Sequence, residues 1–140
     1  MNSPILIDLN DGSVEIESFR ISSRLKLNEL TAAFTVQPEQ QVIVLGKSVL
    51  CQFASVQLVD NGLPVLLELR FERGALVSCF FTFPNAELSD EHHACSQWLT
   101  SKLGQTSGLA CFPWGSAGVA MDRSGNSHVF LHNKNNCWAH

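Results

Sequence analysis

Histidine and cysteine are the residues of this chain best suited to chemistry, and they fall into two groups. His92 and His93 precede Cys95. On a helix His92 and Cys95 share a face at a spacing of three, and Glu91 and Cys95 at a spacing of four. Zinc takes such ligands at about 2.0–2.3 Å but needs three or four of them, and the paired CxxC spacing of structural zinc sites is absent. The plainer reading puts both histidines in an exposed first turn and Cys95 in the core. The second group is His128 and His132. On a strand, residues 128, 130 and 132 share a face, so the two histidines flank Phe130 while Val129 and Leu131 point to the core. An outward His128/His132 face has three possible fates: a metal site together with Cys137 or His140, a contact with a partner, or plain solvation. Aromatic residues on exposed sheet faces are frequent interface anchors, which weights the partner above the metal.

Nucleophilic chemistry finds little support. Cys111 stands in Ala110-Cys111-Phe112-Pro113-Trp114, an apolar setting that raises a thiol pKa instead of lowering it. Cys137 lies near His140, in a tail, where precise geometry is hard to hold. Ser116 in Trp114-Gly115-Ser116-Ala117-Gly118 is not GxSxG, because Trp114 takes the first glycine position. No phosphate loop, dinucleotide fingerprint, HExxH or EF-hand pattern occurs, so no cofactor is expected. Asp122-Arg123-Ser124-Gly125 reads first as a hairpin turn, and Asp122 and Arg123 are also free to pair with a partner.

Positioning these groups requires one folded domain. The chain has 140 residues, and 45% hydrophobic content is enough for a substantial core. No apolar run approaches the roughly 18 residues of a membrane span. The nine cations are scattered and the net charge is −4, a balance that argues against nucleic acid and suits a basic protein partner. Five cysteines without paired spacing, behind an N-terminus that does not read as a signal peptide, give a cytoplasmic expectation.

The elements follow from periodicity. Ile5–Leu9 and Val14–Glu17 flank Asn10-Asp11-Gly12-Ser13 and predict a hairpin. Leu27, Leu30 and Phe34 predict a short helix over Leu27–Phe34 capped by Asn28, followed by a short strand at Val42–Leu45. Val49–Val59, Pro64–Phe71 and Ala75–Phe83, separated by Asp60-Asn61-Gly62 and Glu72-Arg73-Gly74, predict an antiparallel meander. Its last strand is expected to be central and covered on both faces. Ser89, the Cys95/Trp98/Leu99/Leu103 stripe and Gly104 predict a helix over Asp90–Leu103. Gly115–Met121 and Ser127–His132 close the chain as a last hairpin. The fold class is α+β: a mostly antiparallel sheet, a meander plus hairpins, with one long helix packed on it and one short helix, residues 1–140 forming a single domain.

A meander, a helix ending Trp98-Leu99-Thr100-Ser101-Lys102-Leu103-Gly104, then Trp114-Gly115, a strand, Asp122-Arg123-Ser124-Gly125 and a final strand resembles the small bacterial immunity proteins encoded beside secreted or contact-delivered toxins. The resemblance implies a cytoplasmic protein, without enzymatic activity, that neutralises a cognate toxin by covering its active site or partner-binding surface. It carries no site residue across, because immunity proteins bind their toxins in different ways. The residues themselves nominate Asp122, Arg123, His128, Phe130 and His132 as a partner surface, an apolar centre with a polar rim. The alternative is a small metal-dependent enzyme or metal-binding protein using His128, His132, Cys137 and His140.

Overall fold

Two-residue turns set the strand register. Asn61-Gly62 and Arg73-Gly74 each take positive φ at both positions, +51° and +88° in one, +53° and +82° in the other. This is the turn geometry whose twist matches that of the strands it joins. The computed structural model describes residues 4–87, 90–104 and 109–136. In it these turns link β6 (Lys47–Asp60), β7 (Leu63–Glu72) and β8 (Ala75–Thr82) into the meander expected from the sequence. The last hairpin, β10 (Gly115–Met121) and β11 (Ser127–Asn133), pairs with β8 through β11.

The main sheet has eight strands, all antiparallel to their neighbours. Its order is β4 (Thr35–Val36), β6, β7, β8, β11, β10, β9 (Ala110–Phe112), with β5 (Gln40–Val44) lying along the first residues of β6. The expected strand at Val42–Leu45 is thus β5, begun two residues earlier. A second sheet of three short strands, β1 (Leu6–Ile7), β2 (Val14–Ile16) and β3 (Phe19–Ile21), contains the first expected hairpin. Gly12 in that hairpin lies under the Trp114 ring, where a Cβ would stand 2.4 Å from a ring carbon. The Trp114 indole N–H donates to Leu9 O at 3.0 Å, which ties the small sheet to the start of β10.

One core lies on one face of the main sheet. Alternate residues of the strands enter it: Val65, Leu67 and Leu69 from β7, Cys79 and Phe81 from β8, Val129 and Leu131 from β11. Helix α1 (Glu91–Leu103) lies against β10 and β11 and buries the stripe Cys95, Trp98, Leu99 and Leu103. Trp98 meets Phe81 and Phe83 with ring centroids 4.8 and 5.5 Å apart. Ile5, Val14, Ile16 and Ile21 complete this core from the N-terminal segment and the small sheet.

Two sequence expectations are corrected. The helix over Leu27–Phe34 is a single 3-10 turn, Leu27–Glu29, because Leu30 leaves helical geometry with ψ at 143°. A segment this short cannot recover the cost of helix nucleation, and Leu27, Leu30 and Phe34 reach the core without one. The turn begins at Lys26, whose N–H donates to the Glu29 carboxylate at 2.7 Å, instead of at Asn28. Strand β8 is central, between β7 and β11, but it is not covered throughout: Ser78 is buried on its outer face and Phe80 only half-buried. The Ser89 cap position lies outside the described residues.

The buried Asp60 carboxylate joins three segments. It accepts the Ile5 N–H at 2.9 Å, the Trp98 indole N–H at 2.6 Å, and Lys102 Nζ at 3.0 Å on one oxygen and 3.1 Å on the other. Lys102 Nζ also donates to Ile5 O at 2.6 Å. Burial alone would raise the Asp60 pKa. The Ile5, Lys102 and Trp98 hydrogen bonds outweigh it and hold the group below the ordinary aspartate value of 3.8. Asp60→Ala strands the Lys102 ammonium, and chemical denaturation at neutral pH should show a loss of about 3–5 kcal/mol. Because the folded pKa is depressed, this contribution is complete above the ordinary value and disappears as pH falls through the folded one. The gap between parent and variant should therefore narrow below about pH 4; an equal gap at pH 7 and pH 2 would contradict the assignment.

Candidate functional site

The outer face of β8 and β11 gathers the aromatic candidates. Cross-strand register puts Phe130 opposite Phe80 on one side and Gly118 on the other, and His132 opposite Ser78 and Ser116. The Phe80 ring sits between the two histidines, edge-on to His128 at 5.5 Å and to His132 at 6.1 Å. Phe130 stacks on His132 at 4.5 Å with a 23° tilt. Val129 and Leu131 point into the core while His128, Phe130 and His132 are half-buried, which is the alternation the sequence predicts.

The two ends of this row differ. At the His132 end, the ring is fixed by Ser78 Oγ, 2.7 Å from Nδ1, and the buried Asn136 amide donates to the same Ser78 oxygen at 2.8 Å. Gly115 allows β10 to close against this point, since a Cβ there would stand 1.9 Å from His132 O. Ser78 is 1% exposed, so its hydroxyl serves the hydrogen-bond network and is not presented to a substrate. At the other end, beyond His128, the hairpin turn carries Asp122 and Arg123, both exposed. One Asp122 carboxylate oxygen accepts the N–H groups of Ser124 and Asn126, each at 2.9 Å, and so holds the turn. The face continues across β7 and β6 through Glu68, Arg70 and Phe53, with the Arg70 guanidinium 5.7 Å from the Phe53 centroid and bonded to Glu72 at 2.9 Å.

Phe80, Ser78 and Asn136 belong to this site although the sequence did not single them out. Strand alternation could have placed Ser78 and Phe80 on one face. Their pairing with β11 depends on strand order, which local sequence does not encode, and Asn136 joins through a turn of the chain after β11.

The remaining candidates separate. His92 and His93 are exposed on α1, while Cys95 is fully buried. Burial and the neighbouring Glu91 charge push the Cys95 thiol up to about 11. The Glu91 carboxylate accepts the Ser127 N–H, which commits it to the start of β11. Burial pushes Cys79 up to about 12 and raises Cys51 as well, so both are poor nucleophiles at neutral pH. Cys111 is an exposed free thiol on β9, opposite the half-buried Ser116 of β10. Among the described residues no group of three or more His, Cys, Asp or Glu is placed to hold a metal ion. Cys137 and His140, on which the metal alternative drew, lie outside the described residues. No helix of the described residues is long and apolar enough to cross a membrane.

The chain matches no protein-family model, no curated protein and no solved structure.

Opposite faces of one strand should respond differently to truncation. Leu131→Ala empties a core site and is expected to cost about 2–5 kcal/mol in urea denaturation. Phe130→Ala removes a half-buried ring from the outer face and is expected to cost much less. Equal losses would mean that Phe130 is a core residue.

Proposed function

We propose that this chain is a non-enzymatic binding protein of the immunity type, which neutralises a cognate bacterial toxin by direct contact. The observation that carries the reading is the outer row of Phe80, His128, Phe130 and His132, a half-buried aromatic surface that neither α1 nor the small sheet covers. Stacked and hydrogen-bonded rings lose little conformational freedom on binding, which makes them effective anchors. Asp122 and Arg123 supply charge at the rim, where charge chiefly sets association rate and partner choice. The non-enzymatic part is supported by the burial of Cys51, Cys79 and Cys95 and by a serine closed in beneath a histidine and an asparagine. The toxin as partner, and a cytoplasmic place of action, rest on the sequence resemblance.

Co-expression tests this reading. A toxic product of a gene adjacent to this one should be neutralised by the parent chain and should co-purify with it in a fixed ratio. Phe130→Ala should weaken that complex by roughly 2 kcal/mol or more, about 30-fold, without unfolding the chain. Asp122→Arg should slow association and alter its salt dependence. Full protection and unchanged affinity in both variants would remove this face as the binding surface.

A further inference from the structure

The second surface without a neighbour is at the far edge of the main sheet. Strand β5 and the first residues of β6 form a two-stranded arm, because β7 joins β6 only from Cys51 onward. The outer edge of β5 pairs with nothing among the described residues. Its turn is Leu45-Gly46, with φ of +50° and +78°. Val44 and Lys47 flank this two-residue turn and so exchange hydrogen bonds, and by alternation Val42/Val49 and Gln40/Cys51 do the same. The N–H and C=O groups of Gln41 and Ile43 therefore aim away from β6, into the open edge.

Natural edges are blunted by charge, proline, bulges or shortness. Strand β9 has three residues and is followed by Pro113; β4 has two. Strand β5, Gln40-Gln41-Val42-Ile43-Val44, has none of these protections. The arm also carries apolar side chains that serve no core of its own: Ile43 in β5 is 72% exposed and Leu45 in the turn 81%. Leu45 holds a left-handed conformation that costs a leucine about 1–2 kcal/mol. Leu50, opposite Gln41, is exposed on the same face of the arm as Ile43.

We propose that this chain self-associates through β5, paired antiparallel and edge to edge with β5 of a second copy. The strand is self-complementary. A two-fold axis through Val42 sets Gln41 of one copy opposite Ile43 of the other, and these are the residues whose backbone groups face outward, so four N–H···O bonds close. Gln40 then faces Val44. No charged side chain lies in the strand, so the symmetry brings no like charges together, and the two Ile43 side chains become diagonal neighbours. One strand and a few apolar side chains from each copy bury less than the about 1,200–2,000 Å² of a stable complex, so the dimer is weak and concentration-dependent. β5 and β8 are separated in the sheet by β6 and β7, which leaves the outer aromatic face free in either state.

Sedimentation velocity of the full chain from about 10 µM to about 1 mM, a range that covers weak association, tests this directly. The parent should shift from monomer to dimer, and amide exchange at Gln41 and Ile43 should slow with concentration. Ile43→Pro removes an outward N–H without touching the β5–β6 bonds and should hold the chain monomeric. Ile43→Lys should do the same by setting like charges on diagonally neighbouring positions, while Phe130→Ala should associate as the parent does. A parent that stays monomeric at about 1 mM, dimerisation unchanged in both Ile43 variants, or dimerisation lost in Phe130→Ala would each overturn the proposal.

Discussion

A buried carboxylate fixes what covers the sheet. Asp60 ends β6 in a site 5% exposed, where an uncompensated charge costs several kcal/mol. Ile5, Trp98 and Lys102 compensate it, and they come from the N-terminal segment and both middle and end of α1. The network is favourable only when complete, so it selects the arrangement in which α1 and the N-terminal segment meet at the end of β6. Both then lie on the same side of the sheet. With one long helix and one small sheet available, the opposite face receives no layer of secondary structure from the described residues.

The chain adjusts to that uncovered face unevenly. Near Ser78 it turns back after β11, and Asn136 and His132 close over the serine. Further along β8 and β11 no described residue equivalently closes over Phe80 and Phe130, which pack on the histidines beside them and are half-buried. A half-buried aromatic row, rigid through its own contacts and bordered by a charged turn, is suited to meeting another surface. The arm at β5 is a different case, since there the unsatisfied groups are in the backbone, and a strand satisfies them better than a side chain does.

The sequence was most legible where local rules dominate. Asn61-Gly62 and Arg73-Gly74 announce their turns, the Cys95/Trp98/Leu99/Leu103 stripe announces α1, and alternation through residues 128–132 assigns each side chain to its face. It was least legible where short elements take their form from their surroundings. β3, β4 and β9, of two or three residues, exist because neighbours offer a ladder. The apolar spacing of Leu27, Leu30 and Phe34 was satisfied by a 3-10 turn and an extended chain. The candidate site was half readable: His128, Phe130 and His132 follow from period two, whereas Phe80 enters through the β8–β11 pairing between segments about 50 residues apart in sequence. Asp60 gave no local sign beyond its place before a turn, and its partners are brought to it only by the complete fold.

The central claim is that the uncovered face of β8 and β11 is the working surface. Carbene footprinting of the chain alone and in complex with the toxic partner proposed above tests it at side-chain resolution. The account predicts reduced labelling at Phe80, His128 and Phe130, with His92 and His93 on the exposed side of α1 unchanged. Protection of His92 and His93, with the aromatic row labelled as in the free chain, would contradict it.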